Sequence, residues 1–315
     1  MPIPGTTGPQ GTTTVSTGGA TGPISCGAFK ADATLSKIAT GAAQPLAKGA
    51  PKSESVKTAQ VALFSLGFIK ARAGLDGQFG PGTEAAVKAF QASAGVVQSG
   101  KLDAATVKAL DKAAATQIAS LKRQAQPDGS RRTTYHLVAD ISDPAKTRLY
   151  VLNKDDTVAA RFLTSPGRAE FPTQGTKFTV PDLLVRKPWN PPNSSWAANA
   201  KPIPPGVDNP MGLAKLSLGA YSQYIHGIPA SEEPELGHAA SHGCLRVSGS
   251  NVLELGEKYA EAGSSVTINR DRALSAKLEA AATAAQVTDK PTDAGREYMF
   301  GYLSGELGKT THFGG

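Results

Sequence analysis

The chain has 315 residues, 40% of them hydrophobic and 19% charged, which suits about two buried cores and excludes a wholly disordered polypeptide. Its net charge of +7 is mildly basic, but no dense Lys/Arg tract marks a nucleic-acid partner. Two cysteines exclude a disulfide scaffold and a four-cysteine zinc site, no apolar run approaches the ~18 residues of a membrane helix, and residues 1–20 lack the basic start and apolar stretch of a secretory signal.

About half of the first fifty residues are Gly, Pro, Thr or Ser, so 1–52 read as a low-complexity flexible arm, with Cys26 in it as a thiol outside any disulfide. Order is expected from Ser53. Val56, Ala59, Leu63 and Leu66 recur at helical spacing, and Gly67 stops the helix. Asp76-Gly77 marks a turn. Thr83 is expected to cap a second helix with Ala86, Val87 and Phe90 inward, and Leu102-Asp103 leads into a third with Val107 and Leu110. Residues 53–115 therefore predict a three-helix domain and 116–132 a helix tail and linker.

From Tyr135 the period changes to two. Strands are predicted over 135–141, 147–152, 158–164, 176–181, 223–226 and 265–269, with turns at Asp143-Pro144 and at Asn153 to Asp156. Residues 188–210, rich in Pro and Asn, predict a long functional or irregular loop. Ser248 or Ser250 is expected to cap a helix carrying Val252, Leu255 and Tyr259, which stops near Gly263. Residues 133–270 thus form a mostly-β domain, and 271–315 an Ala-rich helix over 273–285 with a tail holding Tyr298, Phe300, Tyr302 and Phe313.

One cluster carries chemistry: Tyr224-Ile225-His226-Gly227, then Ser241-His242-Gly243-Cys244-Leu245-Arg246. Cys244 reads as sitting before a helix, whose N-terminus, with nearby imidazoles, lowers a thiol pKa. His226 and His242 supply a base and an orienting group. Gly243 allows a tight turn in which the Gly243 and Cys244 amides point at one oxyanion. Arg246 offers a fork for a carboxylate. Trp189 and Trp196 either line a substrate groove or pin their loop, and His238 reads as a solvated loop residue. His226, His238, His242 and Cys244 also have metal-ligand chemistry, but no paired ligands at helical spacing accompany them, so no metal or other cofactor is expected.

The cluster resembles the signature of the L,D-transpeptidase (YkuD-type) catalytic domain: His, fourteen residues, Ser/Thr-His-Gly-Cys, an aliphatic residue, then Arg or Asn. Pro172-Thr173-Gln174-Gly175-Thr176, Trp189-Asn190-Pro191-Pro192 and 204–212 resemble further stretches of it, with Gln174 a departure. The earlier pattern, including Gln60, Asp76-Gly77, Phe79-Gly80, Thr83, Phe90-Gln91, Gly100 and Leu102-Asp103, resembles a three-helix peptidoglycan-binding domain. The resemblance implies a multidomain α + β protein: a small peptidoglycan-binding-like helical domain, then a mostly-β sandwich catalytic domain.

It implies a cysteine acyltransferase acting on tetrapeptide stems. Cys244 is the nucleophile and His226 the base, its tautomer held by the Gly227 carbonyl or a nearby acceptor; only the backbone role of Gly227 carries over. Ser241 and His242 orient the loop, Gly243 and Cys244 stabilise the oxyanion, and Arg246, Trp189 and Tyr224 bind substrate. A stem amine, water or a protein lysine can each resolve the acyl enzyme. The implied partner is peptidoglycan, as stem peptide and wall polymer, without nucleic acid or a transmembrane segment. The implied location is extracytoplasmic or secreted. A secreted wall-editing toxin, an L,D-carboxypeptidase and a non-catalytic wall-binding protein are the competing readings.

Overall fold

The structure is a computed structural model that describes residues 23–124, 128–185, 187–204, 209–293, 295–296, 299–304 and 311–312. The sequence readings for 1–22, 125–127, 205–208, Tyr298 and Phe313 lie outside these residues. The chain divides into two compact units, one of residues 32–113 with 23–25, the other of 26–31 with the chain from 114 onward.

Order begins well before Ser53, which corrects the expectation of an arm over 1–52. Short helices α1 (Gly27–Ala31) and α2 (Ala33–Ala39) form there, and Asp32 caps α2 by accepting from the Thr34 and Leu35 amides. Leu35 and Ile38 are fully buried, so α2 belongs to the helical core. Three helices follow: α3 (Glu54–Ser65), α4 (Pro81–Ala94) and α5 (Ala104–Gln124). Ser53 caps α3, Gly80 precedes Pro81 at the start of α4, and Asp103 accepts from the Thr106 amide at the start of α5. Thr83 is therefore not a cap. α3 is buried nearly all round rather than along one stripe, which is why its polar residues need internal partners. α5 runs through the stretch assigned to a linker as far as Gln124.

Two buried glutamines repeat one device. The Gln60 amide donates to Asp76 Oδ1, the Gln78 carbonyl and Thr83 Oγ1, and accepts from the Gly77 N–H. The Gln91 amide donates to Ser99 Oγ, the Lys101 carbonyl and Thr106 Oγ1, and accepts from the Gly100 N–H. Each side chain thus fixes the loop that leads into the next helix, and this is what Asp76-Gly77 and Gly100 serve.

In the second unit, α6 (Ser130–Thr134) leads into β1 (Tyr135–Asp140), β2 (Arg148–Asn153), β3 (Val158–Leu163), β4 (Lys177–Thr179), β5 (Leu183–Val185), β6 (Ala214–Ser217), β7 (Tyr224–Ile228), β8 (Leu245–Ser248), then helix α7 (Gly249–Glu254), β9 (Ser265–Asn269), helix α8 (Arg272–Ala284) and β10 (Thr311–His312). One sheet has the order β3-β2-β1-β9-β4 and the other β10-β5-β6-β7-β8. The chain leaves β3 and passes to the second sheet, where Ser165 exchanges backbone hydrogen bonds with Arg246 of β8. β1 is covered on both faces, against the half-buried expectation. Leu137 and Ala139 face one way, while Val138 joins Tyr150, Leu152 and Val158 under Leu278 and Ala282 of α8. The C-terminal tail supplies further core: Met299 and Leu303 are fully buried. Cys26 is buried too, its thiol donating to the Leu303 carbonyl at 2.8 Å, so it lies in ordered structure and not in a flexible arm.

Replacing Gln91 with Met keeps its bulk and strands four polar partners. Urea unfolding of the full chain, followed by helical circular dichroism, is expected to show a loss of about 2–4 kcal/mol in the helical transition. Lys88→Gln, which breaks only an exposed pair with Glu84, is expected to cost under ~0.5 kcal/mol. Equal behaviour of the two variants would contradict the role given to Gln91.

Candidate active site

β7 and β8 pair in parallel, with Ile225 opposite Leu245 and His226 opposite Arg246. Ile225, Leu245 and Val247 are fully buried in the core. Strand alternation places Tyr224, His226, Cys244 and Arg246 on the other face, and β6 adds Lys215, which pairs with His226. A parallel pair cannot be closed by a hairpin and needs a crossover of a dozen or more residues. The crossover runs from Pro229 to Cys244, and it contains most of the fourteen residues that separate His226 from Ser241. Cys244 consequently precedes a strand, and α7 starts only at Gly249, capped by Ser248 Oγ, so the expected helix-dipole support for the thiol is absent.

His226 is 4% exposed, and its Nδ1 lies 2.7 Å from the Gly227 carbonyl. A carbonyl only accepts, so Nδ1 carries the proton and Nε2 keeps its lone pair. Burial pulls the ring's pKa down to about 4, against a smaller opposing effect of that hydrogen bond. The ring is thus a neutral base with a fixed tautomer at pH 7. Gly227 is required beside it: a Cβ there would stand 3.0 Å from both Gly249 Cα and Val252 Cγ1, where α7 crosses the strand.

The turn before Cys244 is tied from several sides. Ser241 Oγ donates to the Cys244 carbonyl at 2.6 Å and accepts from the Gly243 N–H at 3.0 Å. The Gly243 amide is therefore engaged and does not stand ready for an oxyanion, which corrects half of the expected pair. Gly243 adopts φ +113°, a left-handed conformation open to glycine, and its carbonyl accepts from Thr173 Oγ1. Arg270 in turn donates to the Thr173 and Gly175 carbonyls. His242 Nε2 lies 2.8 Å from Arg168 Nη2, and since guanidinium only donates, the ring is the acceptor and neutral. Burial, then Arg168 and Arg246, lower its pKa. Trp196 stacks on His242 at 4.1 Å and Phe171 lies 4.9 Å away. Trp196, rather than Trp189, thus reaches the site; Trp189 pairs through its backbone with Ile203 across its own loop.

Burial pushes the Cys244 thiol up, opposed by a backbone hydrogen bond from Tyr224 and by the charges of Arg246 and Lys215. One arm of the Arg246 fork is already engaged. Its Nη1 lies 2.8 Å from Glu235 and 3.4 Å from Glu232, both on the crossover. His238 is exposed. Among the described residues no group of three or more His, Cys, Asp or Glu side chains gathers as metal ligands, and the rings of His226 and His242 are turned to other partners. No described helix is long and apolar enough to cross a membrane. A cavity of about 380 Å³, lined by Asp140, Lys146, Arg148, Tyr150, Arg272 and Glu279, lies apart and holds none of these residues.

The sequence reading named Thr173 only within a motif and passed over Arg168 and Lys215. The signal for Lys215 was present: Ala214, Leu216 and Leu218 alternate with Lys215 and Ser217, the period of a strand.

The family model of the L,D-transpeptidase catalytic domain (YkuD) matches residues 134–268, and that of a peptidoglycan binding domain matches 52–110. No curated protein matches the chain. Among solved structures, an L,D-transpeptidase from Mycobacterium smegmatis is 20% identical with TM-score 0.34, covering 43% of this chain and 58% of its own. One from Enterococcus faecium is 18% identical, TM-score 0.34, at 43% and 50%. One from Xylanimonas cellulosilytica is 21% identical, TM-score 0.27, at 72% and 98%. The chain spans under two thirds of the first two.

The depressed His226 pKa makes a pH prediction. Between the folded value of about 4 and the unfolded value near 6.5, the unfolded state binds the extra proton, so stability is lost as pH falls through that window. From pH 7 to pH 5 the loss from this one group is about 2 kcal/mol. Urea midpoints of the wild type are expected to fall over this range more steeply than those of His226→Gln. Parallel profiles would contradict a buried neutral imidazole.

Proposed function

We propose that this chain, which carries a peptidoglycan-binding domain at 52–110 and an L,D-transpeptidase catalytic domain of the YkuD family at 134–268, is a peptidoglycan L,D-transpeptidase with Cys244 as its nucleophile. The observation that supports this best is the shared face of β7 and β8, which carries the thiol beside an imidazole of fixed tautomer.

In the proposed reaction a stem tetrapeptide lies with the carbonyl before its terminal D-Ala over Cys244. The thiol and imidazole are both neutral beforehand. His226 Nε2 takes the thiol proton as sulfur attacks the carbonyl carbon, and the Gly227 carbonyl steadies the resulting imidazolium through Nδ1–H. The Cys244 N–H meets the oxyanion, and the Gly243 N–H joins it on leaving Ser241 Oγ. Collapse passes the proton from His226 to the departing amine, so D-Ala leaves and a thioester remains. An acceptor amine then forms the new amide and frees the thiol; water in its place gives a carboxypeptidase. Ser241, His242 and Thr173 position the turn, and Arg246, held by Glu232 and Glu235, positions the crossover.

The helical unit is proposed to hold the enzyme on the wall polymer. Its substrate locates its action outside the cytoplasmic membrane.

Purified protein mixed with a tetrapeptide stem is expected to release D-Ala and to gain one acyl adduct on Cys244 by intact mass spectrometry. Cys244→Ala is expected to abolish both. Cys26→Ala leaves the adduct in place, and a chelator changes neither readout. D-Ala release that survives in Cys244→Ala, or that EDTA removes and zinc restores, would replace this mechanism by a metallopeptidase one.

A further inference from the structure

The face around Cys244 holds a positive charge that no carboxylate of the described residues answers. Lys215 is half-buried on β6, opposite His226, and its ammonium lies 4.4 Å over the Tyr224 ring. The titratable groups that act on it are the Cys244 thiol, which rests uncharged, and a second cation, Lys187, and burial lowers its pKa. Arg246, by contrast, already has two glutamates. A charge drawn out of water persists where it is paired or where a ligand pairs it. The Tyr224 ring compensates it only in part. One nitrogen of the arginine fork expected to hold a substrate carboxylate is already shared by two glutamates, while the lysine beside the nucleophile has no carboxylate partner among the described residues.

We propose that Lys215 binds the side-chain carboxylate of the residue that supplies the scissile carbonyl and so sets donor specificity. This rests on the transpeptidase reading for the identity of the ligand, but the anion site itself does not. In a partly dry cleft an ammonium–carboxylate hydrogen bond is strong and short, and amidation of the carboxylate removes the charge it needs. The class of donor selected is a stem peptide whose third residue carries a free side-chain carboxylate.

Two measurements on the full chain test it. Alkylation of Cys244 by iodoacetate and by iodoacetamide, located by peptide mass spectrometry, compares an anionic and a neutral reagent of similar size. The iodoacetate-to-iodoacetamide rate ratio is expected to drop roughly tenfold in Lys215→Met and to recover in Lys215→Arg. D-Ala release from tetrapeptides with a free or an amidated third-residue carboxylate is expected to favour the free form in the wild type. That preference in kcat/KM is expected to vanish in Lys215→Met. If Lys215→Met slows both reagents equally, the lysine serves only the thiolate and the proposal fails. If the reagent ratio does not move while the wild type still releases D-Ala, the proposal fails and the enzyme reading stands. If the ratio drops but neither peptide releases D-Ala from the wild type, the anion site stands and the transpeptidase reading falls.

Discussion

The parallel pairing of β7 with β8 is the constraint on which the site depends. It sets the length of chain between His226 and Ser241, because parallel neighbours must be joined by a crossover. It brings two residues fifteen or more positions apart onto one face by strand alternation. It also forces α7 across β7 so closely that Gly227 has no room for a side chain, and the same glycine's carbonyl holds the His226 tautomer. Register, crossover, glycine and tautomer are one arrangement, so a slip of one residue in this pair would turn the imidazole into the core.

Burial works on both partners in one direction. It pulls His226 down and pushes Cys244 up, so each is held in its uncharged form. The pair differs from a preformed thiolate–imidazolium couple, in which both charges would have to be kept in a poorly hydrated place before substrate arrives. Charge instead develops during the proposed attack, where the Tyr224 backbone, Lys215 and Arg246 favour the sulfur and the Gly227 carbonyl favours the ring. The low dielectric that disfavours the charges in the resting enzyme strengthens these contacts once they form.

Much of this was legible in the sequence. Apolar spacing located α3, α4 and α5, and period-two alternation located β1, β2, β3 and β9. The histidine-to-cysteine motif was visible as spacing. The failures have physical causes. Leu35 and Ile38 sit in a stretch whose Gly, Pro and Thr content hides two short helices, and their burial depends on contacts distant in sequence. Leu245–Ser248 is four residues long and runs straight into α7, so the helix signal masked the strand and the wrong origin was given to the thiol's electrostatics. Arg246 was read as a ligand for substrate because its glutamate partners lie on a crossover whose path no local pattern records.

The central claim is that His226 is a buried, neutral base with its proton on Nδ1. Nitrogen-15 NMR of the ring in the full protein tests it most directly. At pH 7, and still at pH 5.5, the account predicts a protonated Nδ1 and an unprotonated Nε2, in wild type and Cys244→Ala alike. A doubly protonated ring at pH 7 that loses its charge when Cys244 is removed would reveal a resting thiolate–imidazolium pair and contradict it.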